Sequence, residues 1–366
     1  MRIILSANSH WNIYNFRLRL VKKLLKNNQI YIIGGKDFTS KKLKKLGCKL
    51  IPINIKPHGK SLIGELRLLF SYLKLINKIK PNFYLGFTIK PNIYGSIICN
   101  YLNIKSICNI TGLGESFIKN RLLKILVIFL YKISIKRSNL VFFQNISDLN
   151  YFKKLNLLKK NNYGLIPGSG INLSNFPYFK KKNKKNLFQF LYVGRIIKEK
   201  GIIELLEAFK KISIRGITVK LILIGSIKKN FKNEVYRKLD KNIIHYNFKK
   251  NILQYYKTAD CFVMPSYREG LSKAILEASC SRLPILASNV PGCKELVKSD
   301  FNGYLFNVHQ QQSIVNALQK ILSLKTEKLL EMGRNGRMMV KKSYTEKQVV
   351  ETYLKKIHKL KNEKKI

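Results

Sequence analysis

Residues 187–212 read LFQFLYVGRIIKEKGIIELLEAFKKI, and their order decides the fold. A β-rich apolar run, residues 187–194, ends at Gly194, which lets the chain turn out of a sheet. A short basic loop follows, and residues 201–212 then read as a helix. The unit recurs downstream: DCFVMPS (260–266) is a strand, YREG (267–270) a turn, and SKAILEASCSR (272–282) a helix. Further strands are read at 218–226, 242–248, 283–288 and 303–306, with a helix at 251–259. Strands alternating with helices imply a parallel sheet covered on both faces.

The N-terminal half has the same grammar. Strands are read at 2–6, 29–35, 82–87, 105–110 and 139–145, and helices at 14–28, 61–80 and 120–137. The stretch GSGINLSNFPYFKKKNKKN (168–186), rich in Gly, Pro, Asn and Lys, marks a boundary. The expected division is a first domain over 1–168, a linker over 169–186, a second domain over 187–345, and a C-terminal helix over 346–366 that packs back toward the first domain. The fold class is α/β: two doubly wound, Rossmann-like domains facing a central cleft. Ligands of such sheets sit beyond the carboxyl ends of the strands, so that cleft is the expected site.

The chain has 366 residues, 46% of them apolar, enough for two cores of ordinary size. Its 70 basic and 19 acidic residues give a formal charge of +51, which attracts polyanions. Part of that charge reflects a chain-wide enrichment in Lys, Ile and Asn. Two anionic partners come to mind, nucleic acid and a membrane surface. No RRM, zinc-finger or helix-turn-helix signature is present, so nucleic acid is not an expected partner. No apolar run reaches the roughly 18 residues that span a bilayer. The N-terminal stretch is too short and polar for a secretory signal and reads as a first core strand. The six cysteines form no C-x-x-C pair, which suits buried, reduced thiols in a cytoplasmic protein.

Two loops carry the chemistry. Arg195 and Lys200 project from the first, just before a helix N-terminus, whose N–H groups and dipole favour phosphate. Two cations and a helix mouth suit a diphosphate. In the second, Glu269 sits in the turn, and Glu277 lies eight positions on, about a turn and a half into the helix. Glu277 can accept hydrogen bonds from adjacent hydroxyls such as those of a ribose, with Glu269 at the other end of the ligand. The amides of Gly270, Leu271 and Ser272 stand between them. The spacing suits a sugar, a diphosphate and a ribose in sequence.

These residues, with NVPGCKELV (289–297), IPGSGINLSNF (166–176) and NGYLF (302–306), resemble the signature of glycosyltransferase family 4 along the full chain. HWNIYNFR (10–17), KPNIYG (90–95) and ITGLGESF (110–117) are similar to bacterial transferases that extend polyprenyl-diphosphate-linked sugars. The resemblance implies a GT-B fold and a retaining hexosyltransferase with a UDP-sugar donor. Arg195, Lys200 and Glu269 become the catalytic residues. Gly194, Gly225, Asn247, Phe248, Gly270, Leu271, Ser272 and Glu277 bind the donor, with the base read by backbone near 247–249. His10, Asn12, Arg17, Thr111, Gly112 and Gly114 line the acceptor side. Many members carry a histidine after the strand that ends here at Ile110. This chain has Thr111 and Gly112 there, so no role of that histidine carries over.

No D-x-D motif is present, so no metal or other cofactor is expected, and Arg195 and Lys200 neutralise the leaving diphosphate. Front-face attack, with the donor phosphate taking the acceptor proton, is the expected route to retention. The five histidines are scattered. Only His10 lies near the expected cleft, and a packing role competes for it. The expected partners are a nucleotide sugar, a lipid-linked saccharide acceptor, and an anionic membrane surface. The last would be met by the lysine-bearing faces of 61–80 and 120–137 on the cytoplasmic side of the inner membrane. A sugar-nucleotide epimerase of the same fold is the alternative.

Overall fold

The computed structural model describes residues 1–55, 61–113, 121–177, 186–212 and 216–363. The chain divides into two compact units, one of residues 1–169 with 346–366, the other of residues 170–345.

The first unit holds a parallel sheet of strands β1 (Arg2–Ser9), β2 (Gln29–Gly35), β3 (Lys49–Pro52), β4 (Phe83–Gly86), β5 (Lys105–Ile110), β6 (Leu140–Phe143) and β7 (Tyr163–Leu165). Their order is β3-β2-β1-β4-β5-β6-β7. Its helices are α1 (His10–Leu25), α2 (Ser40–Lys45), α3 (Leu62–Ile79), α4 (Ser96–Tyr101), α5 (Arg121–Ile135) and α6 (Ile146–Lys154). Alternate residues of β1 serve opposite cores. Ile3, Leu5 and Ala7 face α1, whereas Ile4 faces α3, α4 and α5. The sequence reading begins α1 four residues late. β1 runs to Ser9 and passes directly into the helix, because the Ser9 hydroxyl accepts from the Asn12 N–H and caps it.

The second unit holds β8 (Leu187–Val193), β9 (Thr218–Ile224), β10 (Ile243–Tyr246), β11 (Cys261–Met264), β12 (Ile285–Ser288) and β13 (Gly303–Phe306). They are ordered β10-β9-β8-β11-β12-β13, all parallel. Its helices are α7 (Ile202–Phe209), α8 (Lys232–Tyr236), α9 (Leu253–Thr258), α10 (Lys273–Cys280), α11 (Gln311–Leu322) and α12 (Thr326–Ser343). Part of the expected linker belongs here: Ile171 and Phe176 are buried in this core, and Arg337 donates to the Phe176 carbonyl at 2.7 Å.

The last helix, α13 (Glu346–Asn362), belongs to the first unit. Val349, Val350, Tyr353, Ile357 and Leu360 recur at helical spacing and are buried against α1 and the sheet. Tyr353 is fully buried between Phe87 and Phe142, and its hydroxyl accepts from Asn109 Nδ2 at 2.7 Å. All six cysteines are buried and unbridged.

Candidate functional site

The strand order of the second unit locates the site. From β8 the chain runs outward to β9 and β10, then crosses back to β11 on the other side of β8. Such a reversal of strand order makes the carboxyl ends of β8 and β11 the place where ligands of these sheets bind. The loops leaving those ends are Arg195–Lys200 and Ser266–Ser272, and side chains and backbone lock them together. Lys200 pairs with the Glu269 carboxylate, both largely buried, with 18% and 15% of their side chains exposed. Ser266 Oγ donates to the same Glu269 oxygen at 2.7 Å, and the Tyr267 N–H donates to the Glu199 carbonyl at 3.0 Å. Gly201 turns the first loop into α7 with φ 63°, and a Cβ there would collide with the Pro265 carbonyl. The two loops thus meet backbone to backbone, and only glycine fits the junction.

Arg195 is treated differently. It is exposed, and its guanidinium has no hydrogen-bond or ion-pair partner among the described residues. Its carbonyl is held by the Tyr192 hydroxyl at 2.9 Å. Gly194 and Gly225 lie against each other at the ends of β8 and β9, where a Cβ on Gly225 would strike the Gly194 carbonyl. Asn247 and Phe248 are exposed after β10, the edge strand, two strands from β8.

At the mouth of α10 the picture differs from the expected cradle of amides. The Ser272 N–H donates to the Gly292 carbonyl at 2.9 Å, and the Glu269 N–H to Pro291 at 3.0 Å. The Ser272 hydroxyl is the N-cap and accepts from Ile275. Ser272 therefore shapes the helix mouth, and its amide serves the 290–292 turn. Gly292, φ 82°, packs on Glu269, and its N–H donates to Glu295 Oε2 at 2.8 Å. Gly270 and Leu271 complete the turn between Glu269 and the cap.

Glu277 is half-buried on α10 and accepts from the Tyr256 hydroxyl at 3.1 Å. Burial pushes its carboxyl above the ordinary glutamate range, against the opposing pull of Lys273 and the Tyr256 hydrogen bond. Tyr256 and Ser266, which hold the two acids, carry no signal in the sequence. Each is an ordinary residue of its element, with a partner fixed only by the fold.

The corresponding switch in the first unit lies where β1 and β4 are neighbours, and part of the set expected on the acceptor side stands near it. Asn8 and Thr88 join those strand ends by two hydrogen bonds, at 2.9 and 3.1 Å. Asn12 is half-buried on the first turn of α1. Thr111 Oγ1 donates to the Phe87 carbonyl at 3.4 Å, and Gly112 has φ 120°. Gly114 lies outside the described residues.

Two members of the set are core residues. His10 is 1% exposed, with Nδ1 on Ser40 Oγ at 2.8 Å. Burial lowers its pKa, with Asp37 opposing, which favours the neutral ring. Arg17 is 4% exposed and stacks on Phe87 at 4.9 Å. Its Nη1 donates to the Phe16 and Gly168 carbonyls. It faces the protein interior, because α1 turns that side of the helix onto the sheet.

Two family models match the chain, "Glycosyl transferase 4-like" over residues 2–145 and "Glycosyl transferases group 1" over 175–339. The chain is 26% identical to the N,N'-diacetylbacillosaminyl-diphospho-undecaprenol alpha-1,3-N-acetylgalactosaminyltransferase of Campylobacter jejuni, covering 97% of this chain and 98% of that one. It is 26% identical, over 77% and 78%, to an Escherichia coli UDP-Gal:alpha-D-GlcNAc-diphosphoundecaprenol alpha-1,3-galactosyltransferase. Among solved structures it superposes on Anabaena HepE, in complex with UDP and glucose, with a TM-score of 0.80, 14% identity, and coverage of 98% and 100%.

Proposed function

Because the chain belongs to glycosyltransferase family 4, with its GT-B fold, it is a hexosyltransferase, and we propose that it works by retention on a UDP-sugar donor. It transfers a hexose or N-acetylhexosamine to an undecaprenyl-diphosphate-linked saccharide during surface-glycan or glycoprotein-glycan synthesis. The relatives named for lipid-diphosphate-linked acceptors support that substrate class. The observation that carries the donor reading is the Lys200–Glu269 pair across the β8/β11 switch, with exposed Arg195 beside it.

In this reading the UDP diphosphate lies over the β8 loop. Arg195 binds it with a guanidinium that no protein group already occupies. Lys200 is held in place by Glu269 and turns its charge to the phosphate as negative charge grows on the leaving group. That is preorganised electrostatic stabilisation. Glu269 contacts the transferred sugar, and Glu277, steadied by Tyr256, accepts from the ribose hydroxyls. The acceptor hydroxyl attacks the face the nucleotide leaves, and its proton passes to a donor phosphate oxygen. No metal ion is assigned a role, since the two cations carry the charge. The acceptor's polyprenyl chain ties the reaction to a membrane, and the cytoplasmic face of the inner membrane is the side proposed. Among the described residues no helix is long and apolar enough to cross a membrane, so attachment is proposed to be peripheral.

The test supplies UDP-hexoses and UDP-N-acetylhexosamines with and without an undecaprenyl-diphosphate-linked saccharide. The expected result is transfer only when the acceptor is present, with the anomeric configuration of the donor kept in the product. Donor isomerisation without acceptor, or an inverted product, overturns the reading.

A further inference from the structure

We propose that the outer faces of α3 and α5 are a docking surface for an anionic bilayer, entered by apolar side chains and not by lysines alone. The sequence reading assigns the apolar faces of these helices to the core and their lysines to the lipid. The structure divides the apolar residues in two. On α5, Val127, Tyr131 and Ile135 are buried, as expected. A second apolar stripe, Leu122, Ile125, Leu126, Phe129 and Ile133, points to solvent and is 46–78% exposed. It runs the length of the helix, about 16 Å at 1.5 Å per residue.

α3 repeats the arrangement. Leu68, Tyr72, Ile76 and Ile79 are buried, while Leu62, Ile63, Leu66 and Phe70 are 55–78% exposed. Both helices flank α4 on one face of the sheet, and Tyr101 at the end of α4 is 75% exposed. A helix that is apolar on both sides has a partner on both sides, and clustered exposed apolar side chains mark a contact surface.

Charge decides the partner. The exposed charged residues of α3 are Arg67, Lys74 and Lys78, and those of α5 are Arg121 and Lys132. The one acid of the two helices, Glu65, is turned inward to Lys90 and Tyr94. A second copy of this chain would set this basic face against itself. An anionic lipid surface matches it, with leucine, isoleucine and phenylalanine at acyl-chain depth and the cations at the headgroups. The surface gives the proposed lipid-linked acceptor its setting and rests on that reading for its purpose, not for its evidence.

The experiment co-sediments the full chain with vesicles containing phosphatidylglycerol and with vesicles of phosphatidylcholine alone. Binding to the anionic vesicles that survives in part at high salt is expected. Replacing Leu126 and Phe129 by Gln and Ser, or Leu66 and Phe70 likewise, leaves every charge in place and should weaken partition at least about tenfold. Melting temperature should hold, since these side chains are exposed. Transfer to a detergent-dispersed acceptor should be unchanged in the same variants. Wild-type indifference to anionic vesicles, variants that bind as well as wild type, or a dimer that these substitutions dissolve would each overturn the proposal. Vesicle binding that responds as expected, in a protein that transfers no sugar, would instead strike the catalytic reading and leave this one standing.

Discussion

Arg17 and Arg195 carry one chemical group to opposite uses. Arg17 lies in the interior of the first unit, against the Phe87 ring, with backbone carbonyls on its guanidinium. It is 4% exposed, so a ligand would have to displace protein to reach it. Arg195, at the β8 terminus, is exposed and its fork is free among the described residues. Lys200 stands between the two, largely buried and paired, but with a carboxylate on a loop at the β8/β11 switch. A cation used for folding is enclosed by the chain, whereas one used for binding an anion is left open to solvent. The rank Arg17, Lys200, Arg195 runs from the first use to the second.

The sharpest break of that ranking is Arg17→Ala. Loss of the stacked cation and of packing beside it should destabilise the first unit by about 3 kcal/mol. Amide exchange in α1 and α13 would then quicken by roughly two orders of magnitude. Acceptor KM should hold in the folded fraction, and a raised KM with normal exchange would return Arg17 to the acceptor site. Next come the donor cations. Arg195→Ala and Lys200→Ala should each lower kcat/KM roughly 10–150-fold, the range for about 1.5–3 kcal/mol per charged hydrogen bond. Stability separates them. Arg195→Ala should leave unfolding within about 0.5 kcal/mol of wild type, as an exposed substitution does. Lys200→Ala strands the Glu269 carboxylate, and a further Glu269→Gln should restore stability without restoring rate. Equal stability losses in the two single variants would erase the distinction between them.

The same contrast explains what could be read from residues alone. The alternation of strands and helices in both units was legible because buried parallel strands are apolar runs broken by turn residues. β3 and β7 escaped notice because each is a short edge strand with half-exposed side chains and no alternation. The position of the Arg195–Lys200 and Glu269–Glu277 stretches after strand ends was legible because each follows an apolar run that a glycine or a turn closes before a helix. The first unit was harder. His10 and Arg17 are polar residues in a motif, and only packing tells that α1 turns them inward. Ile171 and Phe176 read as linker on composition, although two apolar side chains among Gly, Asn and Ser suffice to bind the segment to the second core. The two-sided apolar character of α5 was present in its letters, but spacing cannot say which of two stripes is covered.

The smallest expected effect tests whether Glu277 belongs with the binding groups or the folding groups. Burial raises its pKa, so the folded chain holds that proton more tightly than the unfolded chain. Between the ordinary glutamate value and the raised one, the folded state binds more protons, and stability falls as pH rises. Below that window the penalty is absent, and above it the penalty is fully present. A carboxylate kept at such a position works against folding, which suits a group retained for a ligand. Glu277→Gln removes the ionisation and keeps the shape. At neutral pH the variant should therefore be at least as stable as wild type, and its unfolding should lack this part of the pH slope. Its affinity for a UDP-sugar should still fall, by up to about tenfold, the loss of one charged acceptor to the ribose hydroxyls. Unfolding followed across pH, together with donor titration, reads both quantities on one protein. Lower stability with unchanged donor affinity would move Glu277 to the side of Arg17, as a residue whose hydrogen bond to Tyr256 serves the fold.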